Sequence, residues 1–234
     1  VDWGNWRFSG SLRYDRLNFS ADDHLLKTQK VNSRSGERIF RSWNPYAGIQ
    51  YTSGNLRYFV NWGTAFQSPT TTELVNHPDQ TSGFNPYLRP QTSNGGEAGV
   101  ATFVPWNGVS GELVFYSIRV DDLLLPYQSS DAGPTFYKNS GSTQHNGLEA
   151  QVDWHPEQIP VEISGSYSMI RARFQAFPES GIKGNAVPGV PRHMFFMRAI
   201  WHPGDWRLTS ELQWSDSYPA DNRNTSYSDA FTEV

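Results

Sequence analysis

The sequence predicts an all-β protein, an antiparallel up-and-down transmembrane β-barrel of which this chain is one part. Three observations carry that prediction. Apolar and polar residues alternate with period two from end to end, long and short connections alternate strictly, and Trp or Tyr residues bracket the strands. The chain has 234 residues, of which 37% are hydrophobic and 15% aromatic, and its mean hydropathy is −0.61. That aromatic load opposes disorder, whose signature is the reverse. No apolar run approaches the roughly 18 residues of a transmembrane helix. The absence of cysteine excludes disulfide frameworks, Cys-ligated zinc and thiol catalysis. A net charge of −4 offers no basis for a nucleic-acid partner.

Taken in order, the first strand places Trp6, Phe8, Leu12 and Tyr14 on one face, with Arg7, Ser9, Ser11 and Arg13 on the other. A second strand covers about 38–51. The third alternates Leu56, Tyr58, Val60, Trp62 and Phe66 with Arg57, Asn61, Gly63 and Ala65, and Phe59 interrupts its polar face. Segments 96–105 and 110–121 are strands with less clean faces. Leu148, Ala150, Val152 and Trp154 then alternate with Glu149, Gln151 and Asp153. Val161, Ile163, Tyr167 and Met169 alternate with Glu162, Ser164, Ser166 and Ser168. Segment 192–202 alternates with apolar residues on both faces, and Trp206, Leu208, Leu212 and Trp214 alternate with Arg207, Thr209, Glu211 and Gln213. These make nine strands, and Asp229 to Val234 begins a tenth.

The connections carry as much information. Thr52–Asn55, Pro105–Val109, His155–Pro160 and His202–Asp205 are short and rich in Gly, Pro and Asn, which is turn chemistry. Long loops lie between them at about 20–37, 67–95, 122–143, 172–191 and 217–228. A transmembrane barrel shows this asymmetry, with short periplasmic turns and longer extracellular loops. Trp206 and Trp214 share a face, as do Trp6 and Tyr14. At about 3.3 Å per residue and a tilt near 40°, such pairs span some 20 Å along the membrane normal, close to the roughly 25 Å apolar band between aromatic girdles. A soluble sandwich has no reason to bracket its strands with Trp. Val1 follows no basic or apolar leader, and the chain reads as starting inside a longer protein.

Three sequence passages narrow the reading. Phe66 to Pro69 form a Phe-x-x-Pro box, Asn85 to Pro90 read Asn-Pro-x-Leu-x-Pro, and Glu97 to Gly99 open the next strand. Tyr137 to Gly141 precede Gly147-Leu148-Glu149, and Pro188 to His193 end in Val-Pro-Arg-His. In this order and spacing they resemble the barrel of TonB-dependent outer-membrane receptors of the siderophore-receptor type. The resemblance implies a barrel of about 22 strands, preceded by a plug domain that carries an energy-coupling TonB box. It identifies residues 1–234 as a partial barrel, with the plug domain and the remaining strands absent. It implies a bacterial outer-membrane location and contact with outer-membrane lipid. It further implies TonB engaged through the absent plug, and a metal chelate as cargo, a ferric siderophore before haem, cobalamin or copper.

Such a receptor captures its ligand with extracellular loops. Tyr87, Arg89, Tyr127, Tyr137 and Lys138 are the candidates, since ring faces and cationic heads suit an anionic or aromatic chelate. His77 lies between the Phe-x-x-Pro and Asn-Pro-x-Leu boxes and is a candidate haem ligand. His155 and His202 precede prolines in short turns and are read as structural. Lumen-facing Arg7, Arg13, Glu149, Asp153, Arg207 and Glu211 are expected to form cross-strand ion pairs or to meet the plug. No catalytic constellation, resident cofactor or metal site is expected, because nucleophile-elbow, zincin and phosphate-loop motifs are absent. The alternative of a small autonomous outer-membrane protease or lipase rests on His24 with Asp22 and Asp23. A soluble all-β binding module is the remaining alternative.

Overall fold

A computed structural model describes residues 1–22, 35–75, 83–102, 107–128 and 135–234. Its main sheet has eleven antiparallel strands in the order β1-β2-β3-β4-β5-β6-β9-β10-β11-β12-β15. They are β1 (Asp2–Trp3), β2 (Trp6–Ala21), β3 (Gly36–Ser53), β4 (Leu56–Gln67), β5 (Gln91–Thr102) and β6 (Val109–Asp121). Two loop strands follow, β7 (Leu124–Gln128) and β8 (Thr135–Asn139). The sheet resumes with β9 (Ser142–Trp154), β10 (Val161–Ala176), β11 (His193–Trp201) and β12 (Leu208–Ser215). A second loop hairpin pairs β13 (Tyr218–Pro219) with β14 (Tyr227–Ser228), and β15 (Phe231–Glu233) closes the list. Each strand of the main sheet pairs with its neighbour in the chain once the loop hairpins are set aside. Among the described residues no ladder joins β1 to β15, so the sheet is open.

Short turns occupy one end of the sheet and long loops the other, as the alternation predicts. Trp3 pairs with Trp6 across Gly4-Asn5, and Ser53 with Leu56 across Gly54-Asn55. Gly4 and Gly54 both adopt positive φ, 59° and 56°, which tight hairpins demand and glycine supplies without strain. At the opposite end the strands run further than the alternation alone predicts. β5 begins at Gln91 and β9 at Ser142, inside the loops expected at about 67–95 and 122–143, and β10 continues to Ala176, inside the loop expected at about 172–191.

Two patterns account for this: the loop ends of β5 and β9 are polar on both faces, and the polarity of β2, β3, β6 and β10 reverses along the strand. From the register, the Trp6 face includes Phe8, Leu12, Tyr14, Trp43, Ile49, Tyr58, Val60 and Phe115, and these side chains are partly or fully exposed. Further along the same face come Arg16, Asn18, Arg41, Arg119, Asn146, Arg171 and Arg173. The opposite, inner face starts polar, with Arg7, Ser9, Asn61, Glu97, Glu149, Ser166 and Glu211. It then turns apolar, with Phe19, Phe40, Ile118, Val120, Ile170, Ala172 and Phe174. A fixed assignment of apolar to one face therefore fails where the faces exchange character.

The buried core lies at the long-loop end. Phe40, Leu74, Phe84 and Leu88 form a cluster, against which Phe19, Ala21, Val75, Leu124 and Tyr137 pack. Leu74 is fully buried and sits on the one-turn helix α1 (Thr71–Val75). Thr70 and Glu73 cap that turn reciprocally. The backbone N–H of Thr70 donates to Glu73 Oε2 at 2.6 Å, and that of Glu73 to Thr70 Oγ1 at 3.4 Å. Burying a leucine of this kind contributes about 1.5–3 kcal/mol.

On the inner face, aromatic rings lie over glycines of neighbouring strands. Phe59 covers Gly99, and Tyr116 covers Gly147, so closely that a Cβ at either glycine would collide with the ring. This explains the interruption that Phe59 makes in its polar face, since the ring needs the gap across the ladder and not a lipid contact.

Candidate functional site

At the long-loop end, the connection between β6 and β9 carries Tyr127, Tyr137 and Lys138, and Arg89 is tied to its foot. β7 and β8 form a hairpin in the connection between β6 and β9, with Tyr127 opposite Phe136 and Leu125 opposite Lys138. The alternation of a strand puts Tyr127, Phe136 and Lys138 on one face of the hairpin and Leu124 and Tyr137 on the other. Lys138 Nζ stands 5.0 Å from the centre of the Tyr127 ring, a cation–π contact, and that ring meets Phe136 at 5.8 Å. Tyr137 points away from this pair and packs against the apolar cluster. The sequence groups Tyr137 with Lys138 as neighbours in a loop, whereas the strand separates them.

Arg89 is held at the foot of the same hairpin. Its guanidinium lies 2.8 Å from Asp122 Oδ1, and its backbone N–H donates to Asn139 Oδ1 at 2.7 Å. Asn139 Nδ2 donates in return to the carbonyls of Arg89, at 2.7 Å, and Asp122, at 2.9 Å. One amide side chain thus ties the Asn85–Pro90 segment to both ends of the β7–β8 loop. Asp122 has a φ of 57°, a conformation that Asp tolerates better than most residues. Arg89 stays exposed along most of its length, so its remaining donors face solvent. Tyr87 is 69% exposed, and its backbone N–H bonds Asn85 Oδ1 at 3.0 Å.

The Asn-Pro-x-Leu-x-Pro box is itself structural. Leu88 is 1% exposed, and Arg38 Nη2 donates to the carbonyls of Pro86 at 2.7 Å and Leu88 at 3.2 Å. The box fixes a platform, and Tyr87 and Arg89 project from it. His77 lies outside the described residues, as do His24 and Asp23.

Below the loops, the inner wall is polar. Tyr46 Oη donates to Asn61 Oδ1 at 2.9 Å, and Asn61 Nδ2 to Glu97 Oε1 at 2.8 Å. A concavity of about 850 Å³ is lined on this face by Glu112, Glu149, Gln151, Ser166, Ser168 and Gln213. The ion pairs expected from sequence are realised in part. Arg7 pairs across β1 and β2 with Asp2 at 2.8 Å, but Arg13 pairs along its own strand with Asp15 at 2.8 Å. Side chains two apart on a strand share a face, and the residue directly opposite Arg13 is Asn44, which carries no charge. His202 Nε2 lies 3.3 Å from Glu162 Oε1 at the short-turn end.

A second loop pair is knitted by polar groups. Asp221 accepts from the backbone N–H groups of Arg223, Thr225 and Ser226 and from the Thr225 hydroxyl. Desolvation raises its pKa, yet these four donors outweigh it and hold the carboxyl below its ordinary value. Asn224 exchanges two bonds with the Ala186 backbone, at 2.8 and 2.9 Å, and Arg223 pairs with Glu179. Asn139, Asn224 and Asp221 are absent from the sequence-derived candidates. Among the described loop contacts, the Thr70-x-x-Glu73 capping box is one that the sequence pattern declares.

A family model described as TonB dependent receptor-like, beta-barrel matches residues 1–234. The chain belongs to this receptor barrel family. Members of the TonB-dependent receptor barrel family are receptors and transporters of the outer membrane rather than enzymes, which removes the protease or lipase alternative. The chain is 24% identical over 126 residues to the vitamin B12 transporter BtuB of Vibrio vulnificus (strain YJ016), which is 54% of this chain and 19% of that protein. The ferric citrate transporter FecA in the unliganded form superposes with a TM-score of 0.74 at 20% identity, over 99% of this chain and 34% of that one. The siderophore receptor PiuA from Acinetobacter baumannii gives 0.76 at 15% identity, over 97% and 33%. The copper transporter OprC gives 0.74 at 13% identity, over 98% and 36%. The chain therefore spans about a third of the length of these solved relatives, and at these identities the likeness concerns the fold.

Proposed function

We propose that this chain is one part of the barrel of a bacterial outer-membrane receptor for TonB-dependent uptake of a metal chelate, with a ferric siderophore as cargo. A plug domain elsewhere in the protein would engage TonB, and the polar inner wall would face that plug. The observation that carries the reading is the Lys138–Tyr127 contact on the β7–β8 hairpin, with Arg89 tied to the foot of that hairpin and Tyr87 exposed two residues before Arg89. Cationic heads beside the half-buried Tyr127 ring and the exposed Tyr87 ring suit an anionic chelate with unsaturated ligand groups. The ferric citrate transporter and the siderophore receptor named above are precedents for iron cargo in this fold, which a copper transporter shares.

The test is growth of a receptor-deficient strain that carries the full-length gene, supplied with one nutrient source at a time. Growth on a ferric siderophore supports the reading, and the Tyr127→Ala/Lys138→Ala double variant should then lower uptake at unchanged surface level. Growth restricted to cobalamin or to copper replaces the cargo within the same family. Growth on haem alone, lost in His77→Ala, replaces it by haem with His77 as ligand.

A further inference from the structure

Four arginines stand at one level of the outer face. Arg16 on β2, Arg41 on β3, Arg119 on β6 and Arg171 on β10 share the face of Trp6, Tyr51, Val109 and Val161, respectively. Each lies about ten positions up its strand from that residue at the short-turn end, which at about 3.3 Å per residue and a tilt near 40° is some 25 Å along the membrane normal. If the short-turn residues mark one boundary of the apolar band, these arginines mark the other. The same step along β4, β5 and β9 reaches Phe66, Thr92 and Gln144, so no carboxylate enters the belt there.

The belt is under-neutralised. Arg119 is paired at 2.9 Å with Asp121. Arg16 and Arg41 face each other directly in the β2–β3 ladder, both are exposed, and among the described residues neither has a hydrogen-bond or ion-pair partner. Arg171 is likewise exposed and without such a partner. Like charges directly opposite on a sheet repel. An arrangement of this kind at a membrane boundary calls for an anion between the two guanidinium groups. Phosphate fits, since a guanidinium fork binds it through two parallel hydrogen bonds.

We propose that Arg16 and Arg41 form a binding site for the phosphate groups of outer-leaflet lipid, with Arg171 as a second contact farther round the sheet. The proposal rests on the outer-membrane reading above and adds to it a defined lipid site. The ordered aromatic pair beneath, Tyr14 and Trp43 with ring centres 4.7 Å apart, would pack against the lipid just below its headgroup.

The intact receptor, purified in dodecyl maltoside, is mixed with lipid A that carries both phosphates or with its dephosphorylated form, and bound lipid is counted by native mass spectrometry. The wild type should retain the phosphorylated form preferentially. Arg16→Gln/Arg41→Gln should weaken that binding roughly tenfold or more, as two lost basic contacts imply, while Arg16→Lys/Arg41→Lys retains an intermediate affinity. Unfolding midpoints supply a second readout with a change of sign. Without phosphorylated lipid the double Gln variant should be at least as stable as the wild type, because the repulsion is gone; with it, the wild type should be the more stable. Should the double variant not fold, Arg171→Gln gives a smaller loss of the same kind. Equal retention of the two lipid forms, or no loss on removing the arginines, overturns the site. A receptor that stays monodisperse without detergent overturns the outer-membrane reading instead.

Discussion

The two halves of the main sheet, nearer the short turns and nearer the long loops, solve opposite solvent problems. In the half nearer the short turns, apolar side chains such as Leu12, Val60 and Val152 point outward and stay exposed, while Ser, Asn and Glu line the inside. In the half nearer the long loops, arginines and amides point outward, and Phe19, Phe40 and Phe174 point in. The first half suits lipid outside and water within; the second is an ordinary protein layer whose core faces its own loops. The difference shows that the outward face of a strand is defined by what surrounds it at that height and not by strand position alone.

The comparison can be broken at its strongest point by Leu74→Ala. That leucine is fully buried in the loop-side cluster, so the change should cost about 2–5 kcal/mol, read as local loss of hydrogen-exchange protection around Phe40, Phe84 and Leu88. Protection lost equally over the lower half would mean that the two halves are one cooperative unit. Next in size, Leu12→Arg places a charge near the centre of the apolar band and should cost about 2–4 kcal/mol, whereas Ile39→Arg on the same face above the band should cost about 0–1 kcal/mol. Urea unfolding of the intact receptor in lipid vesicles measures both, and equal costs would contradict the assignment of the boundary between them.

Asn139→Ala removes the amide that ties Arg89 to Asp122, and should cost about 1–3 kcal/mol. Its signature is mobility of the β7–β8 hairpin and weaker ligand capture, with the inner wall unchanged. The smallest effect is a pH effect. Because the folded-state pKa of Asp221 lies below its unfolded value of 3.8, its contribution is present above that pH and is lost as pH falls through the depressed value. Exchange protection of the Arg223, Thr225 and Ser226 amides should therefore persist at pH 5 and vanish in stronger acid, and Asp221→Asn should weaken it at all pH values. Protection that is indifferent to both changes would remove the carboxylate from the account of this loop.

The lower half was legible because its alternation is local. Trp6 to Tyr14 and Trp206 to Trp214 declare their faces without any partner, and Gly54-Asn55 declares its turn. The upper half was less so. Asn18-Phe19-Ser20 and Arg171 to Phe174 alternate as well as any strand, but with the faces exchanged, and such segments merge with loops when one polarity is assumed throughout. Of the candidate site, Tyr127, Lys138 and Arg89 were recognisable as residue types in long loops. That Lys138 caps the Tyr127 ring while Tyr137 turns inward depends on the β7–β8 register, which a loop sequence does not declare.

By itself, the amino-acid order determined the all-β class, the neighbour-to-neighbour pairing and the side on which each connection is long, because period-two patterning and turn chemistry act over a few residues. Tertiary structure alone decided which loop residues meet, as Asn139 does with Arg89 and Asp122, and which arginines oppose each other, as Arg16 and Arg41 do. Those contacts join residues separated by tens of positions. They exist only once the ladder register has brought distant strands to the same height.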